Sequence, residues 1–369
     1  IRRIILTLCL ILPAMRYGQT GHFFSSDRFS NSLIADLCQD KFGNIWIATD
    51  YGLNKFDGYQ FESFLHDDRD TTTVCSNAIV ELLTDSKGRL WVGTNRGLDR
   101  YCSDSNSFIH YPFPGNVLPR ISDIIELSDG RILFCTAGYG TFVVGDDNVV
   151  RATSEFSPDP NDHFFSYAYV DSKNRFWKSG YDNSFLMKSD GEFKKFTSTV
   201  GSPVGFIERS DEVLIICLHG IMSYSNGKMT VADIDMSELR STDALMSVAK
   251  MDNIGNVYIG TRGSGLYCIR SGERKLERVE VDAFGVNMST AKVWAMLFDH
   301  HGNMWLGLQR KGLLMVPLVP MQFKEWSFEA QNIQVGSSIA SVCAGDNGIT
   351  WCSVQGVGVY GFDINGHVV

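Results

Sequence analysis

One unit recurs along almost the whole chain, and it restricts the fold more than any other feature of the sequence. The unit consists of an apolar strand, an Asp-x-x-Gly type of turn, an apolar strand centred on Trp, a glycine-containing turn and a third strand. Its two clearest copies align without a gap and run from Asp40 to Phe56 and from Asp85 to Tyr101. Such a repeat indicates an array in which each copy packs against the next one.

Weaker copies bring the total to eight. The position of the central tryptophan is held by Trp46, Trp91, Leu133, Trp177, Leu214, Tyr258, Trp305 and Trp351. Their mean separation is about 44 residues, which is the period of a four-stranded propeller blade. The β-branched and aromatic residues around Trp46, and the Gly43 that precedes them, are typical of strands joined by tight turns. The sequence therefore predicts an all-β fold of four-stranded antiparallel blades.

The eighth copy indicates a second ring. A short strand-like segment at residues 22–27 precedes the first copy, and a similar segment at residues 321–326 precedes the eighth. We predict a seven-bladed β-propeller over residues 19–319 and the first blade of a second, truncated propeller over residues 320–369. In each ring the leading segment is expected to complete the last blade as its outer strand, because this arrangement removes an open edge.

The N-terminus predicts export. Arg2 and Arg3 precede an apolar run from Ile4 to Leu12, which is too short to span a bilayer with ease. A signal peptide over residues 1–18 is therefore favoured over a membrane anchor. It places the mature chain outside the cytoplasm.

The overall charge excludes some partners. The formal net charge is −9 and the isoelectric point is near 5.4. A protein that binds nucleic acid or an anionic membrane through its own surface needs a basic face, so neither is expected here.

The cysteines do not form a recognisable pattern. Those of the mature chain are scattered singly without a Cys-x-x-Cys motif, so buried free thiols are favoured over a metal site or a disulfide framework. Cys343 and Cys352 flank one predicted turn and could pair, since the sequence does not show whether their side chains share a face.

The copies at residues 40–56, 85–101, 252–267 and 299–315 resemble the two-component-regulator propeller repeat, whose pattern is Asp-x-x-Gly-Asn-Ile-Trp-Ile-Gly-Thr-x-x-Gly-Leu-x-Arg-Phe/Tyr. Proteins with such repeats are the periplasmic sensor regions of hybrid histidine kinases in Bacteroides-type bacteria. They carry two propellers, an Ig-like domain, one transmembrane helix and a cytoplasmic kinase, and they respond to oligosaccharides released from glycans.

The resemblance implies a periplasmic, ligand-sensing segment of an inner-membrane protein that controls polysaccharide-utilisation genes. It implies a homodimer formed through the full-length protein, with membrane contact and kinase activity supplied by sequence beyond Val369. No catalytic residue is expected in this segment.

Motifs for cofactors or metals have simpler explanations. Residues 356–361 match the Gly-x-Gly-x-x-Gly fingerprint, but they fall at a turn and third strand and not at a helix N-terminus. The recurring aspartates at the turn starts are lone carboxylates, whereas calcium needs several oxygen ligands close together. They are Asp40, Asp85, Asp171, Asp252 and Asp299. We expect no cofactor and no metal.

A ligand is expected on one rim of the ring. In every copy the turn between the second and third strands must emerge on the same rim, where a rigid frame holds the loops together. These turns mix aromatic residues, which stack on sugars, with forked or planar hydrogen-bond donors, and their arginines favour an anionic sugar. The candidate ligand-binding residues are Tyr51, Asn95, Arg96, Tyr139, Tyr181, Asp182, His219, Arg262, Gln309, Arg310 and Lys311.

Three points stay open from the sequence. Trp294 lies near the start of an inner strand and is a further candidate at the channel mouth, although packing in the core is favoured. The polar segment from His66 to Ser76 suits a lid or a partner surface. Two other functions remain: a secreted glycosidase or polysaccharide lyase that uses carboxylates from separate blades, and a protein-interaction scaffold.

Overall fold

The computed structural model describes residues 19–157, 167–180, 183–283, 285–318, 339–345, 348–363 and 367–369. The predicted signal peptide, the second leading segment at 321–326, Tyr181 and Asp182 lie outside the described residues. The chain divides into two compact units, Ile1–Leu318 and Val319–Val369. No helix among the described residues is long and apolar enough to cross a membrane.

The strands fall into successive sheets, and each sheet of the first unit is called a blade. Blade 1 contains β2 (Ile34–Gln39), β3 (Ile45–Thr49), β4 (Gly52–Phe56) and β5 (Phe61–Phe64). Blade 2 contains β6 (Ile79–Thr84), β7 (Leu90–Thr94), β8 (Gly97–Cys102) and β9 (Ser107–Tyr111). Blade 3 contains β10 (Arg120–Glu126), β11 (Ile132–Ala137), β12 (Gly140–Val144) and β13 (Val150–Thr153). Blade 4 contains β14 (Tyr167–Val170), β15 (Phe176–Ser179), β16 (Ser184–Ser189) and β17 (Glu192–Thr197).

The remaining blades follow the same order. Blade 5 contains β18 (Pro203–Arg209), β19 (Glu212–Cys217), β20 (Ile221–Ser225) and β21 (Lys228–Val231). A one-turn helix, α1 (Ser237–Arg240), precedes blade 6, which contains β22 (Met246–Met251), β23 (Val257–Thr261), β24 (Leu266–Ile269) and β25 (Leu276–Arg278). Blade 7 is five-stranded and contains β1 (Gln19–Ser25), β26 (Val281–Ala283), β27 (Val293–Phe298), β28 (Asn303–Leu308) and β29 (Gly312–Pro317). The second unit contains β30 (Ile339–Ala344), β31 (Thr350–Val354) and β32 (Gly358–Phe362).

One strand of each blade lies on the inside of a closed ring; these inner strands are β2, β6, β10, β14, β18, β22 and β27. Each inner strand contacts the inner strands of its two neighbours, and the series closes because β27 of blade 7 contacts β2 of blade 1. The predicted fold class, an all-β propeller of four-stranded antiparallel blades, is therefore confirmed.

The ring is closed by the N-terminal strand. In blade 7, β1 pairs antiparallel with β29, with His22 opposite Met315 and Ser25 opposite Gly312. This is the outer-strand role that the sequence predicts for the first leading segment. A feature that the sequence does not reveal is β26, which pairs in parallel with residues 19–21 of β1. It covers the edge that β1 would otherwise leave unpaired.

A buried aspartate explains why the repeat contains both Asp and Trp. The Oδ1 atom of Asp40 accepts hydrogen bonds from the backbone N–H groups of Phe42 (2.9 Å) and Asn44 (3.0 Å). Its Oδ2 atom accepts a bond from the indole Nε1 of Trp46 at 2.8 Å. The turn and the tryptophan of the next strand are thus fixed by one carboxylate, which satisfies an indole N–H that has no access to water. The same aspartate–tryptophan bond joins Asp85 to Trp91, Asp171 to Trp177, and Asp299 to Trp305. The prediction of turn chemistry at these aspartates is confirmed.

The hydrophobic core lies in the seams between neighbouring blades. The ring of Trp46 in blade 1 packs on Tyr101 of blade 2, with 4.6 Å between ring centroids, and on Phe64 at 5.5 Å. Trp91 of blade 2 is buried in a cluster that includes Phe134 and Phe142 of blade 3. Because each tryptophan is shared with the following blade, no blade can bury its own faces alone.

A β-bulge interrupts the inner strand of blades 1, 2, 3, 5, 6 and 7 at the same place. In blade 1 the register shifts between Ile34, which lies opposite Thr49, and Asp36, which lies opposite Ala48. The residues at the bulge are Ala35, Val80, Ser122, Val204, Ser247 and Trp294. A bulge redirects the side chains around it, and here it does so at the end of each inner strand nearest the turn between the second and third strands.

The second unit contains one three-stranded sheet among its described residues. In its register, Cys343 lies opposite Trp351 and Val342 lies opposite Cys352. Cross-strand partners share a face and successive residues alternate, so the side chains of Cys343 and Cys352 point to opposite faces. This register excludes the disulfide that the sequence left open, and both cysteines are free thiols.

Candidate functional site

A cavity of about 1060 Å³ occupies the central channel of the first unit. Inner strands from all seven blades contribute to its wall. Its volume is at the upper end of the range for sites that bind small molecules. It is therefore large enough for a ligand of several sugar rings or of similar size, held by side chains from many blades.

An aromatic and cationic pair lies at the wall of this cavity. Trp294 stands at the bulge of blade 7 and is 36% exposed. The guanidinium of Arg262, from the turn between the second and third strands of blade 6, lies over its ring at 4.9 Å from the centroid. This geometry is a cation–π contact. The favoured interpretation of Trp294 as a core residue is wrong, because the bulge turns it away from the seam and into the channel.

Three carboxylates from consecutive blades face the same cavity. Asp36, Glu81 and Asp123 hold one structural position, the first residue after the bulge in blades 1, 2 and 3. The sequence interpretation did not single them out. In the other blades this position is held by apolar or small residues, namely Ala168, Gly205, Val248 and Ala295.

Two of these carboxylates also join neighbouring blades. Asp36 accepts a hydrogen bond through Oδ2 from the backbone N–H of Leu82 in blade 2, at 3.0 Å. Asp123 accepts one from the backbone N–H of Ala168 in blade 4. These bonds fix the orientation of the two side chains, so the acidic part of the cavity wall is held by the frame of the ring.

The environment of the channel raises the pKa of all three acids. Burial is the main cause in each case, and at Glu81 it is followed by repulsion from Asp36 and Asp123. The pKa of Glu81 is well above its ordinary value and that of Asp123 is about 7. Lys250, from blade 6, partly offsets this effect by attraction. Burial also raises the pKa of Tyr167, at the same cavity, to about 12.

We expect Glu81→Gln to stabilise the protein at about pH 8 and to have little effect at about pH 4.5. A carboxyl whose pKa is raised on folding binds more protons when folded, so stability falls as pH rises from the ordinary pKa of Glu through the raised one. Glutamine removes this penalty, with an expected gain of about 1–2 kcal/mol at the higher pH. Thermal unfolding at the two pH values measures it. Equal effects at both would contradict a raised pKa at Glu81.

The rim residues that the sequence singled out do not all reach the cavity. Of these candidates, the structure brings Arg262 and Trp294 together at its wall. Tyr51 and Tyr139 are about half exposed, at 52% and 49%, on their turns. The other described candidates lie on turns of the same rim without lining the cavity; they are Asn95, Arg96, His219, Gln309, Arg310 and Lys311. Their role in ligand binding stays a prediction.

Hydrogen bonds tie this rim together. The backbone N–H of Gly52 bonds to the carbonyl of Asn77 (2.6 Å), and that of Asn95 bonds to Ala78 (3.0 Å). At the closing seam, the N–H of Arg310 bonds to the carbonyl of Ser32 at 3.1 Å. Each turn is thus fixed to the segment that enters an inner strand, which makes the rim a rigid frame.

The segment from His66 to Ser76 is not a lid over the cavity. It lies along the outer strand β9 of blade 2, where the carbonyl of Thr72 accepts a hydrogen bond from the N–H of Phe108 at 2.8 Å. None of its residues lines the channel cavity. The lid interpretation is wrong because the segment is held by the edge of blade 2, which a loop can cover by strand-like pairing.

One group has the residue types of a metal site, but its hydrogen bonds explain it. Potential ligand atoms of Cys75, Asp99 and His110 lie within 4.8 Å of one another. Asp99 accepts bonds from the N–H of Cys75 (2.7 Å) and from His110 Nδ1 (2.7 Å), and the sulfur of Cys75 bonds to Thr94 (3.2 Å). Burial raises the pKa of Cys75 above its ordinary value, which disfavours the thiolate that a metal requires. The corresponding positions of blade 1 are held by Ser30, Asn54 and Ser63.

Comparison with known proteins agrees with this architecture. The family model described as "Two component regulator propeller" matches residues 28–51 and 73–96. The chain carries two-component regulator propeller repeats. The first match lies in blade 1 and the second in blade 2. Each match begins just before the inner strand, includes the aspartate–tryptophan turn and ends in the rim turn that follows the second strand. A curated relative, histidine kinase P4 of Formosa agariphila, is 40% identical over 52 residues, which are 14% of this chain and 4% of that protein.

Solved structures share the fold of these repeats. The extracellular domain of a B. thetaiotaomicron protein assigned as the hybrid two component system BT3049 is 19% identical, with a TM-score of 0.66, and the match covers 95% of this chain and 49% of that one. The virginiamycin B lyase of Staphylococcus aureus is 14% identical, with a TM-score of 0.64, and the match covers 81% of this chain and 99% of that one. The chain therefore spans about half the length of the extracellular domain.

Proposed function

We propose that this chain is the extracellular, periplasmic ligand-sensing region of a hybrid two-component system. In this proposal it binds an oligosaccharide derived from a glycan in the channel cavity and signals across the membrane, as part of a homodimer, to control polysaccharide-utilisation genes. The two-component regulator propeller repeats and the shared fold with an extracellular sensor domain support the sensor role. The kinase activity belongs, in this proposal, to the rest of a longer protein.

The pair of Trp294 and Arg262 is the observation that carries the ligand proposal. An exposed indole beside a cavity offers an apolar face on which a sugar ring can stack. The guanidinium over it presents several N–H donors in a fixed plane, which suit hydroxyl, carboxylate or sulfate oxygens. Arg120, also at the cavity, adds a second cation, so an oligosaccharide that bears acidic groups fits this part of the wall.

Calorimetric titration of residues 19–369 with neutral and anionic oligosaccharides tests this proposal. We expect micromolar binding of one glycan and a loss of about fivefold or more in Trp294→Ala, because stacking on an aromatic ring contributes about 1 kcal/mol or more. Arg151→Ala is the control, since Arg151 is exposed on the outer strand β13 of blade 3 and does not line the cavity. The same control should bind like the unmodified protein.

The alternative outcome is equally informative. If binding persists in Trp294→Ala and disappears in Arg96→Ala or Arg310→Ala, the ligand occupies the rim and not the channel. Absence of binding across the whole panel would favour a protein partner and contradict the proposed glycan.

A second candidate function is cleavage of a polysaccharide, which the channel carboxylates favour. Carboxyl groups with raised pKa values are the kind of group that hydrolases and lyases use for proton transfer. Incubation of the protein with candidate polysaccharides, followed by chromatography of the products, tests this function. Cleavage that is lost in Glu81→Gln, and kept in the exposed control Glu280→Gln, would establish this function. If no polysaccharide is cleaved, the sensor role remains the proposed function.

A further inference from the structure

Residues 66–76, which we call the strap, cover the free edge of blade 2. The strap connects β5 to β6 and runs beside the outer strand β9. It is held there by the backbone bond from Phe108 to the carbonyl of Thr72 and by a bond from His110 Nε2 to the carbonyl of Thr71, each of 2.8 Å. The strap therefore protects part of an edge that would otherwise be open to strand pairing.

The contacts of His110 define its charge. Its Nδ1 lies 2.7 Å from Oδ1 of Asp99, and its Nε2 lies 2.8 Å from the carbonyl oxygen of Thr71. A carbonyl oxygen cannot donate a proton, and an ionised carboxylate cannot either, so both nitrogens must carry hydrogen. Both bonds form together only with the protonated, positively charged imidazole, opposite the fully buried carboxyl of Asp99.

His66, inside the strap, has the same kind of environment. Its Nδ1 lies 2.8 Å from the carbonyl oxygen of Val74, and its Nε2 lies 2.9 Å from Oδ1 of Asp68. The side chain of Asp68 is 93% exposed, so solvent screens this pair and its contribution is smaller than that of His110.

The other groups around His110 do not remove this requirement. Among the described residues, the charged or titratable groups in contact with the two histidine rings are Asp99 and Cys75 at His110, and Asp68 at His66. The hydrogen bond that His110 donates to Asp99 raises the pKa of His110. Blade 1 holds the corresponding place with uncharged side chains, because Ser63 donates to Asn54 at 2.7 Å where His110 donates to Asp99. Blade 2 thus has a titratable contact where blade 1 has an uncharged one.

We propose that the strap is a pH-sensitive device, closed along β9 while His110 is protonated and loosened when His110 loses its proton. A base whose pKa is raised in the closed state stabilises that state fully below its ordinary pKa, near 6.5, and the contribution is lost as pH rises through the raised value. The device goes beyond the proposed function, because it depends on neither the ligand nor the channel.

Hydrogen exchange of the whole chain measures the opening of the strap. We expect the opening equilibrium reported by the Phe108 amide, corrected for intrinsic exchange, to rise about tenfold between about pH 5.5 and about pH 8.5. His301→Gln, which changes an exposed histidine in a turn of blade 7, should show the same rise. An opening equilibrium that does not change with pH would overturn the proposal.

Asp99→Asn provides the decisive variant. The amide oxygen can accept the N–H of Cys75, and the amide nitrogen can donate to Nδ1 of a neutral His110, whose Nε2–H still reaches Thr71. The strap should stay closed with little dependence on pH, while His110→Gln should open it at both pH values. Circular dichroism shows whether each variant is folded. A full pH dependence in Asp99→Asn would show that another group controls the strap, and would also overturn the proposal.

Discussion

Asp85→Ala should lower the free energy of unfolding of the first unit by about 3–5 kcal/mol. The substitution leaves the buried indole N–H of Trp91 without an acceptor, together with the backbone N–H of Arg89. It also leaves the guanidinium of Arg89 without its carboxylate partner. A buried donor costs about 1–3 kcal/mol when it has no partner, and the indole of Trp91 lies in the seam that blade 2 shares with blade 3.

Chemical denaturation, followed by tryptophan fluorescence, measures this loss. Asp104→Ala is the matched control, because Asp104 is an exposed aspartate of the same blade, and its replacement should change stability by less than about 0.5 kcal/mol. Asp85→Asn should be intermediate, since it keeps one acceptor oxygen. Equal stability of the two alanine variants would show that the seam does not depend on the aspartate–tryptophan bond.

The effect of this aspartate should also depend on pH. Burial alone would raise the pKa of Asp85, but the hydrogen bonds from Trp91 and Arg89 outweigh burial and hold the pKa below its ordinary value. A carboxyl of this kind stabilises the fold above the ordinary pKa of Asp, near 4, and the contribution is lost as the pH falls through the lowered value. The difference between Asp85→Ala and the unmodified protein should therefore shrink at strongly acidic pH.

Gly312→Ala should open the ring, whereas Gly97→Ala should only weaken one blade. The two glycines hold the same position at the start of the third strand, with φ of +144° and +141°. An added Cβ at Gly312 would collide with the carbonyl oxygen of Phe24 in the closing strand β1, whereas at Gly97 the nearest atom is 3.9 Å away. The conformational strain of about 1–3 kcal/mol is common to both variants, so their difference isolates the closing contact.

We expect Gly312→Ala to be less stable than Gly97→Ala by at least about 2 kcal/mol, because overpacking against backbone cannot relax by a side-chain rotation. Thermal unfolding gives the difference, and limited proteolysis should release the N-terminal strand first in Gly312→Ala. If the two variants unfold alike, β1 does not hold the ring closed.

The fold was accessible from the sequence because its determinants are local and repeated. The turn glycines, the aspartate and the tryptophan lie within seven residues of one another in blades 1 and 2, so each copy displays the complete motif. The closing role of residues 22–27 was predictable for a different reason. A single strand that precedes the first blade can remove an open edge by pairing with the outer edge of the last blade. By contrast, β26 is only three residues long and carries no pattern.

The site was only partly accessible, because it is assembled from residues that are distant in sequence. Arg262 was predicted from its turn, but the orientation of Trp294 depends on a bulge that has no sequence signature. Asp36, Glu81 and Asp123 are single acids in separate strands, and none of them looks unusual by itself. An alignment of the repeat copies could have found them, because all three acids hold the same position in their copies. In the structure this position lies opposite Ala48 in blade 1 and opposite its equivalents in blades 2 and 3.

The repeated bulge separates what the ring needs from what it recognises. Stability depends on the aspartate–tryptophan bonds and the apolar seams, whereas the channel surface depends on the residues at and just after the bulge of each inner strand. A change at the bulge itself, as at Ala35 or Trp294, alters the chemistry seen by a ligand and leaves the aspartate–tryptophan bonds intact, whereas Asp36 and Asp123 just after it also bond to a neighbouring blade. Divergent copies of such a ring can therefore acquire new ligand preferences through substitutions at the bulge, from alanine in one blade to tryptophan in another.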